Sequence, residues 1–328
     1  MREFDAKYII DGIAQDLTPR HFLTGELGGE SCADCITDES VDPRLSPWEY
    51  KEQDIPSILE KMSSYPFPFS LRYPEFAARL SLATALIDSL WCEGHFSYES
   101  LSLSLKWQWN SDEMGAMAAF YRSCESLGEY LENLRIDSPE LVFEKAPLCR
   151  IIATVLGGGK ARKVPEYFLS EPASRLLYIP VDPCAYSLGG SALSKVCGNP
   201  GDAAVDISDG YYFTDCYEIL REMVEDGVVM SAATVGAGGL TAALKRYYPS
   251  LSHHVDLSAL LRAYGMSQQD ETDRARVLFG EVPGVLLQIR ESDYEYVDVQ
   301  CLLQDVAYYS LAVSAAPLSA LLQALMNR

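Results

Sequence analysis

The sequence lacks the features that are typical of proteins that bind membranes or nucleic acids. No apolar run approaches the roughly 20 residues that a bilayer-spanning helix needs, and the opening stretch MREFDAKYIIDG has no continuous apolar core like that of a signal peptide. Basic residues are scarce, because 26 Lys and Arg stand against 47 Asp and Glu, a net charge of −21. Such an acidic chain repels phosphate backbones and anionic lipids. We therefore expect a cytoplasmic protein with neither nucleic acid nor membrane as a partner.

Metal-binding residue patterns are also sparse. The chain has only four histidines, and its nine cysteines are scattered, mostly inside apolar segments. Cys32 and Cys35 form one CxxC, but a structural zinc site would need a second pair or histidines at ligand spacing. The neighbours His253 and His254 point apart and have no evident third ligand, which favours loop histidines. We predict no metal and free thiols, with a redox pair or a metal at Cys32 and Cys35 as the open alternative.

The first half of the chain changes character near Pro74. Residues 1–74 are rich in acids, proline and glycine, and we interpret them as an irregular segment. Beyond Pro74, apolar residues recur at helical spacing. The stretch SLSLSLKW, residues 100–107, then alternates with a period of two, which is typical of a half-buried strand. A second helical pattern follows, and CRIIATVL, residues 149–156, has the composition of a buried strand that ends in a glycine turn.

The second half alternates strands and helices. It begins near residue 165 with the apolar run LLYIPV, residues 176–181, and continues through helical and strand-like segments to the C-terminus. Such mixtures predict sheets layered with helices, α/β and α+β, in two domains. The glycine-rich and basic stretch GGGKARKVP separates two buried strands and marks the domain boundary. The predicted division is 1–74 irregular, 75–164 an N-terminal α/β domain, and 165–328 a C-terminal α+β domain.

One turn could hold a phosphate. The stretch YSLGGSALSKV follows the strand LLYIPV directly, and a glycine-rich strand-to-helix turn can bind an anion through its backbone amides. The only nearby basic cluster lies in GGGKARK. The alternative, which we favour, is a tight turn that the fold needs for packing. The candidate phosphate-binding residues are Gly189, Gly190, Ser191, Lys160 and Lys163.

Two further patterns have simple explanations. Asp206 and Asp209, in AAVDISDGYYF, resemble an acidic metal-binding turn, but a helix cap through Ser208 or Asp209 is the explanation that we favour. Tyrosines occur in adjacent pairs, which predicts that one of each pair faces solvent and suits a protein interface. The paired residues are Tyr211, Tyr212, Tyr247, Tyr248, Tyr308 and Tyr309.

Four motifs in the right order carry a resemblance to a known family. They are the helix RLSLATALIDSLW before a strand that ends in Leu105-Lys106-Trp107, the turn in YSLGGSALSKV, the segment EILREMVEDGVVMSAATVGAGGL, and VLFGEVPGVLLQI. From about residue 76 to 314 the chain resembles the synthetase portion of phosphoribosylformylglycinamidine synthase, most of all the second of its two synthetase halves. That enzyme is grouped with aminoimidazole ribonucleotide synthetase, selenophosphate synthetase and thiamine monophosphate kinase.

The resemblance implies an aminoimidazole ribonucleotide synthetase-like architecture of two domains. In that architecture the N-terminal strands form a half-barrel sheet with helices, which a second copy or a second half completes, and the C-terminal domain is a mixed sheet with helices. The family binds ATP and formylglycinamide ribonucleotide between the domains. It holds magnesium on carboxylates, since the ion must bridge and neutralise the phosphates.

The family's catalytic residues are replaced at the matching positions. Its Asn-Trp has become Lys106-Trp107, and its Gly-Glu-Asp falls on Gly115-Ala116-Met117. Its phosphate and metal loop should lie near residues 136–145, and its His-Asp motif falls on residues 233–239, where only glycines persist. Glycines are kept because the backbone needs them, whereas each catalytic carboxylate, lysine or histidine has changed. The remnant family positions are Lys106, Asp137, Ser138, Gly238 and Gly239.

These replacements predict a fold that is kept and a reaction that is lost. We expect no catalytic residues, no cofactor and a role as a structural or interaction subunit. The alternative is an ATP-dependent ligase of de novo purine biosynthesis that converts formylglycinamide ribonucleotide to formylglycinamidine ribonucleotide with ATP and Mg²⁺, through a rearranged or partner-completed site. The strands at 100–107 and 149–156 would leave an unpaired sheet edge, which predicts a homodimer or pairing with a related synthetase-like domain.

Overall fold

A computed structural model describes residues 2–26, 35–42, 69–92, 101–137, 139–156, 161–171, 173–198, 203–247 and 253–315. Contacts divide the chain into two compact units. The first comprises residues 1–44, 68–86 and 96–157, and the second comprises residues 45–67, 87–95 and 158–328. The three-part division 1–74, 75–164 and 165–328 stays a prediction.

The N-terminal residues form a small sheet rather than an irregular segment. The strands are in the order β2-β1-β3, with β1 antiparallel to β2 and parallel to β3. Phe4 and Tyr8 are buried, so tertiary packing holds elements that are too short to show any periodicity in the sequence. The elements are α1 Arg2–Asp5, β1 Lys7–Ile10, β2 Ile13–Ala14, α2 Pro19–Thr24 and β3 Cys35–Asp38.

A three-stranded sheet forms the centre of the first unit. The strands β4 Ser102–Trp109, β5 Glu140–Lys145 and β6 Arg150–Leu156 lie in the order β5-β4-β6. Strand β4 is the central strand, because it pairs in parallel with β5 and antiparallel with β6. Within the described residues the expected unpaired edge lies at β6. One expectation is corrected here. The segment 136–145, expected to correspond to a loop, contains β5, whose apolar Leu141 is buried against the core.

Two long helices accompany this sheet, α3 Pro74–Leu90 and α4 Ala116–Leu134. The alternation predicted for β4 is present, with Trp107 and Trp109 buried. Their indole N–H groups donate to Ser123 Oγ at 3.1 Å and to the Ala116 carbonyl at 2.8 Å. Both tryptophan donors therefore find partners on α4, as buried indoles usually do.

The second unit contains a five-stranded antiparallel sheet in the order β8-β10-β7-β11-β9. Its three strands β7, β10 and β8 are the most deeply buried, which fits their continuous apolar sequences. The strands are β7 Ser174–Pro180, β8 Val229–Val235, β9 His253–Asp256, β10 Gly284–Arg290 and β11 Tyr309–Ala315.

The helices of the second unit begin and end with recognisable caps. Asp209 accepts a bond from the Tyr212 amide at 2.9 Å and so caps the N-terminus of α6. Gly227 follows this helix with φ of 70°, in the left-handed region that favours glycine. The helices are α5 Ala192–Cys197, α6 Gly210–Glu225, α7 Gly239–Tyr247, α8 Ser258–Ala263, α9 Glu271–Phe279, the 3₁₀ turn Glu291–Asp293, and α10 Tyr294–Leu303.

The predicted fold class is confirmed, since sheets and helices combine in both units. Of the helices that the structure describes, none combines the length and the apolar character that crossing a bilayer demands.

Candidate functional site

The amides of Gly189 and Ser191, in the Gly189-Gly190-Ser191 turn, donate hydrogen bonds to carbonyls of the protein itself. The Gly189 N–H donates to the Ala203 carbonyl at 3.0 Å, and the Ser191 N–H donates to the Leu188 carbonyl at 3.1 Å. Gly190 has φ of 73°, which only glycine adopts without strain. The Ser191 hydroxyl accepts a bond from the Ser194 amide and caps α5. The turn thus has the geometry of a helix-capping strand-to-helix turn.

A buried carboxylate lies at the start of the same helix. Glu281 Oε1 accepts a bond from the Ala192 amide at 2.7 Å and a second one from the Gly238 amide at 2.8 Å. Burial raises the pKa of Glu281, and burial lowers the pKa of nearby Lys195, which attracts the carboxylate. The N-termini of α5 and α7 therefore face an anionic group that the chain supplies itself. No periodic pattern in the sequence indicates Glu281, which lies in the loop before β10.

A second polar cluster surrounds the buried Thr234, which the sequence analysis matched to the aspartate of the family's His-Asp motif. The Thr234 hydroxyl donates to Asp88 Oδ1 and accepts a bond of 2.9 Å from the indole N–H of Trp91. Burial raises the pKa of Asp88. The Arg246 guanidinium donates to the Thr234 carbonyl at 2.7 Å, and that of Arg162 donates to the neighbouring Ala232 carbonyl at 2.9 Å.

The carboxylates of this cluster already have partners within the chain, which disfavours a magnesium ion. Mg²⁺ binds through one or two carboxylates together with waters and substrate phosphates, but here Asp88 is bonded to Thr234, and the neighbouring Glu166 pairs with Arg162 and Arg246, each at 3.7 Å. The adjacent Ala233 has no ligand atom in its side chain. Among the residues that the structure describes, no group of three or more His, Cys, Asp and Glu could hold a metal ion. The absence of a cofactor stays a prediction.

The residues that the sequence analysis matched to the family's Gly-Glu-Asp motif also form hydrogen bonds within the protein. Gly115 has φ of 82°, and the Asp38 carboxylate accepts bonds from the amides of Gly115, Met117 and Ala118 at 2.8–3.1 Å. A carboxylate at the N-terminus of a helix satisfies the unpaired amides of the first turn. Asp38 therefore stabilises the start of α4, a role that the sequence did not indicate because Asp38 is 77 residues away from Gly115.

The other remnant positions are dispersed. Lys106, on β4, forms an ion pair with Glu144 of β5, which lowers the pKa of Glu144. Asp137 is exposed, and Ser138 lies outside the described residues. Gly238 precedes α7 and has φ of 83°, and Gly239 is the first residue of α7 and has φ of 65°.

The gathering of Lys160 and Lys163 at the turn stays a prediction. The Lys163 side chain is exposed, and its backbone amide donates to the Trp91 carbonyl at 2.7 Å, at the end of α3. Lys160 lies outside the described residues, as does Cys32. His253 and His254 fall in strand β9 rather than in a loop, and their side chains are not described. Cys35 is exposed and is not disulfide-bonded.

The acidic turn and the tyrosine pairs have internal roles. Asp182, which the sequence analysis did not single out, accepts bonds of 3.1 Å from the amides of Ser208 and Asp209. Of the paired tyrosines, Tyr211 is 62% exposed, whereas Tyr247 is fully buried. The hydroxyl of Tyr308 donates to Asp298 at 2.5 Å. Tyr308 and Tyr309 are both half-buried, and Tyr248 lies outside the described residues. One solvent-facing tyrosine in each pair stays a prediction.

Comparison with known proteins agrees with the fold and with the resemblance in sequence. No family model matches the chain. It is 25% identical over 244 residues to phosphoribosylformylglycinamidine synthase of Homo sapiens, covering 70% of this chain and 17% of that protein. It is 23% identical over 240 residues to the probable chloroplastic/mitochondrial phosphoribosylformylglycinamidine synthase of Arabidopsis thaliana, covering 68% of this chain and 16% of that protein.

A similar solved structure is that of PurLQS from Thermotoga maritima. Its TM-score is 0.50 at 15% identity, with 74% of this chain and 38% of that chain covered. The fold is therefore aminoimidazole ribonucleotide synthetase-like. The sequence is similar to the synthetase portion of phosphoribosylformylglycinamidine synthase. The chain spans about one sixth of the length of these curated relatives.

Proposed function

We propose that this chain is a phosphoribosylformylglycinamidine synthase-like protein that has lost synthetase chemistry and acts as a structural or interaction subunit in the cytoplasm. The observation that carries the proposal is the hydrogen-bonded group of Thr234, Asp88 and Trp91. The sequence analysis matched Thr234 to the aspartate of the family's His-Asp motif, and here the Thr234 hydroxyl donates to Asp88. The neighbouring Glu166 pairs with Arg162 and Arg246. Such internal pairing stabilises the fold and disfavours the Mg²⁺ coordination that phosphoryl transfer needs.

The Gly189-Gly190-Ser191 turn is part of the same proposal. Its role is to start α5, and Glu281 takes the place that a bound anion would have at this helix. A phosphate in that place would meet the negative charge of an ionised Glu281, and its approach would cost electrostatic free energy. We therefore expect neither ATP nor free phosphate to bind at the turn.

An assay of enzymatic turnover tests directly whether synthetase activity has been lost. Purified protein is mixed with formylglycinamide ribonucleotide, MgATP and ammonia, and release of phosphate is followed. The expected rate equals that of a blank without protein. Release of phosphate that depends on formylglycinamide ribonucleotide would refute the proposal.

A second candidate is an ATP-dependent ligase of de novo purine biosynthesis whose site a partner completes. It is favoured by one fact, namely that the chain spans only about one sixth of the length of its curated relatives. The same turnover assay, repeated with a separately purified related synthetase-like domain, separates the two candidates. Activity that appears only in the mixture would support the ligase.

Strand β6 is the proposed pairing edge of the subunit. Within the described residues its outer edge pairs with no strand, and Ile152 and Leu156 on it are 37% and 36% exposed. An open edge with apolar side chains favours pairing with another chain. We expect a homodimer that buries on the order of 2,000 Å². Light scattering should give twice 36.3 kDa, and a stable monomer at micromolar concentration would contradict the dimer.

A further inference from the structure

Helix α10 has two apolar faces, and only one of them is covered. Val297 and Cys301 are fully buried, and they join the helix to the core of the second unit. On the other side, Val299, Leu302 and Leu303 are 46%, 77% and 74% exposed. Their spacing of three and four residues places them on one face of the helix. We call these three residues the α10 stripe.

The α10 stripe is large for a surface of this kind. Its exposed side chains present on the order of 300 Å² of contiguous apolar surface, which is comparable with the largest patch on a typical monomer and is often functional. Met114 and Ile13, which belong to the first unit, are 80% and 67% exposed.

The charged side chains of α10 itself are all acidic, and Arg175, which lies 3.9 Å over the Tyr294 ring, pairs with Glu291. From residue 291 to residue 327 the sequence contains no Lys, Arg or His. Glu295 precedes Val299 by one helical turn, and Asp305 follows Leu302 by three residues. Neither carboxylate forms an ion pair with any described residue. The closest preceding base in the sequence, Arg290, already pairs with Asp293 at 3.4 Å.

We propose that the α10 stripe is the docking surface for an amphipathic helix of a partner protein, with leucine-like residues on one face and Lys or Arg beside them. Apolar side chains on the partner would cover the stripe, and its basic residues would pair with Glu295 and Asp305. A second copy of this chain is disfavoured, because it would bring the same carboxylates face to face. The inference rests on the proposed role as an interaction subunit and names the class of partner.

The test uses two labelled helical peptides of about 14 residues, or four turns. Both carry leucine at the same positions, and one has lysine where the other has glutamate. Fluorescence anisotropy should show that the lysine peptide binds the full chain and the glutamate peptide does not. Raising sodium chloride from about 50 to about 500 mM should weaken binding several-fold.

The matched variants are Leu302→Ser with Leu303→Ser, and Met114→Ser as a control at an equally exposed site. We expect the double variant to lose binding about tenfold or more and the control to bind as the original does. All three positions are exposed, so both variants should keep their unfolding temperature.

Three results would overturn the inference. They are no binding of the lysine peptide, equal binding by the double variant, and self-association of the chain that the double variant abolishes. The last result would identify a second copy as the occupant. Phosphate release in the turnover assay would refute lost catalysis and leave the peptide result unchanged, so the two failures can be told apart.

Discussion

Replacing Glu281 tests most directly whether its carboxylate stabilises the start of α5. The carboxylate is fully enclosed and is the acceptor for the amides of Ala192 and Gly238, at 2.7 and 2.8 Å. Glu281→Ala removes that acceptor and leaves two buried N–H groups without a partner. Each such group costs about 1–3 kcal/mol. Because the buried charge is removed at the same time, we expect a net loss of about 2–4 kcal/mol in the free energy of unfolding.

Glu281→Gln should be milder, because the amide oxygen still accepts one bond or both. We expect a loss of about 1 kcal/mol. The pH dependence adds a second signature. Burial raises the pKa of Glu281, so its contribution to stability is complete below the ordinary glutamate pKa and declines as the pH rises through the raised value. The stability difference between the original protein and the Gln variant should therefore be smaller at pH 8 than at pH 5.

The assay is urea unfolding followed by circular dichroism, at both pH values. Glu295→Ala on the exposed face of α10 is the matched control and should change stability by less than about 0.5 kcal/mol. If Glu281→Ala behaves like this control, the carboxylate does not hold the two helix N-termini together and the reasoning fails. Restored stability of Glu281→Ala in phosphate, but not in chloride, would show that the turn can accept an external anion.

Two further substitutions probe the segment 233–239, which the sequence analysis matched to the family's His-Asp motif. Thr234→Ala should cost about 2 kcal/mol of unfolding free energy, because Asp88 and the indole of Trp91 lose their partner. Thr234→Ser keeps the hydroxyl and should cost less than about 1 kcal/mol. Equal losses for the two variants in chemical denaturation would contradict a role for the hydroxyl. Gly239→Ala should cost more than about 2 kcal/mol, since φ is 65° and a Cβ would lie 2.8 Å from the Leu278 carbonyl oxygen. Gly227→Ala, with φ of 70° but open space around it, should cost about 1 kcal/mol, and thermal unfolding temperatures in the reverse order would refute this reasoning.

Local sequence patterns correctly predicted those elements that depend on residues close together in the chain. The alternating strand near residues 102–109, the buried strand 174–180 and the cap at Asp209 all follow from residues close together in the chain. Strand β5 was missed because ELVFEK is short and has charged ends, and its strand conformation depends on pairing with β4.

The internal bonds at the former site could not be predicted from the sequence. Asp88 and Thr234 are 146 residues apart, and Glu281 is 89 residues from Ala192. No period or spacing rule connects such positions, since tertiary folding alone brings them together. The resemblance to a family predicted which carboxylates had been replaced, but the hydrogen-bond partners of the residues at those positions became visible only in three dimensions.

The central claim is that the fold is retained without its nucleotide chemistry, and a thermal shift measured with saturating MgATP tests it most directly. A ligand at 100 times its Kd stabilises a protein by about 2.7 kcal/mol, which for units of this size raises the unfolding temperature by about 5 °C or more. We predict a shift no larger than that produced by magnesium chloride with sodium sulfate at equal ionic strength. A rise of 5 °C or more that requires ATP would contradict the account.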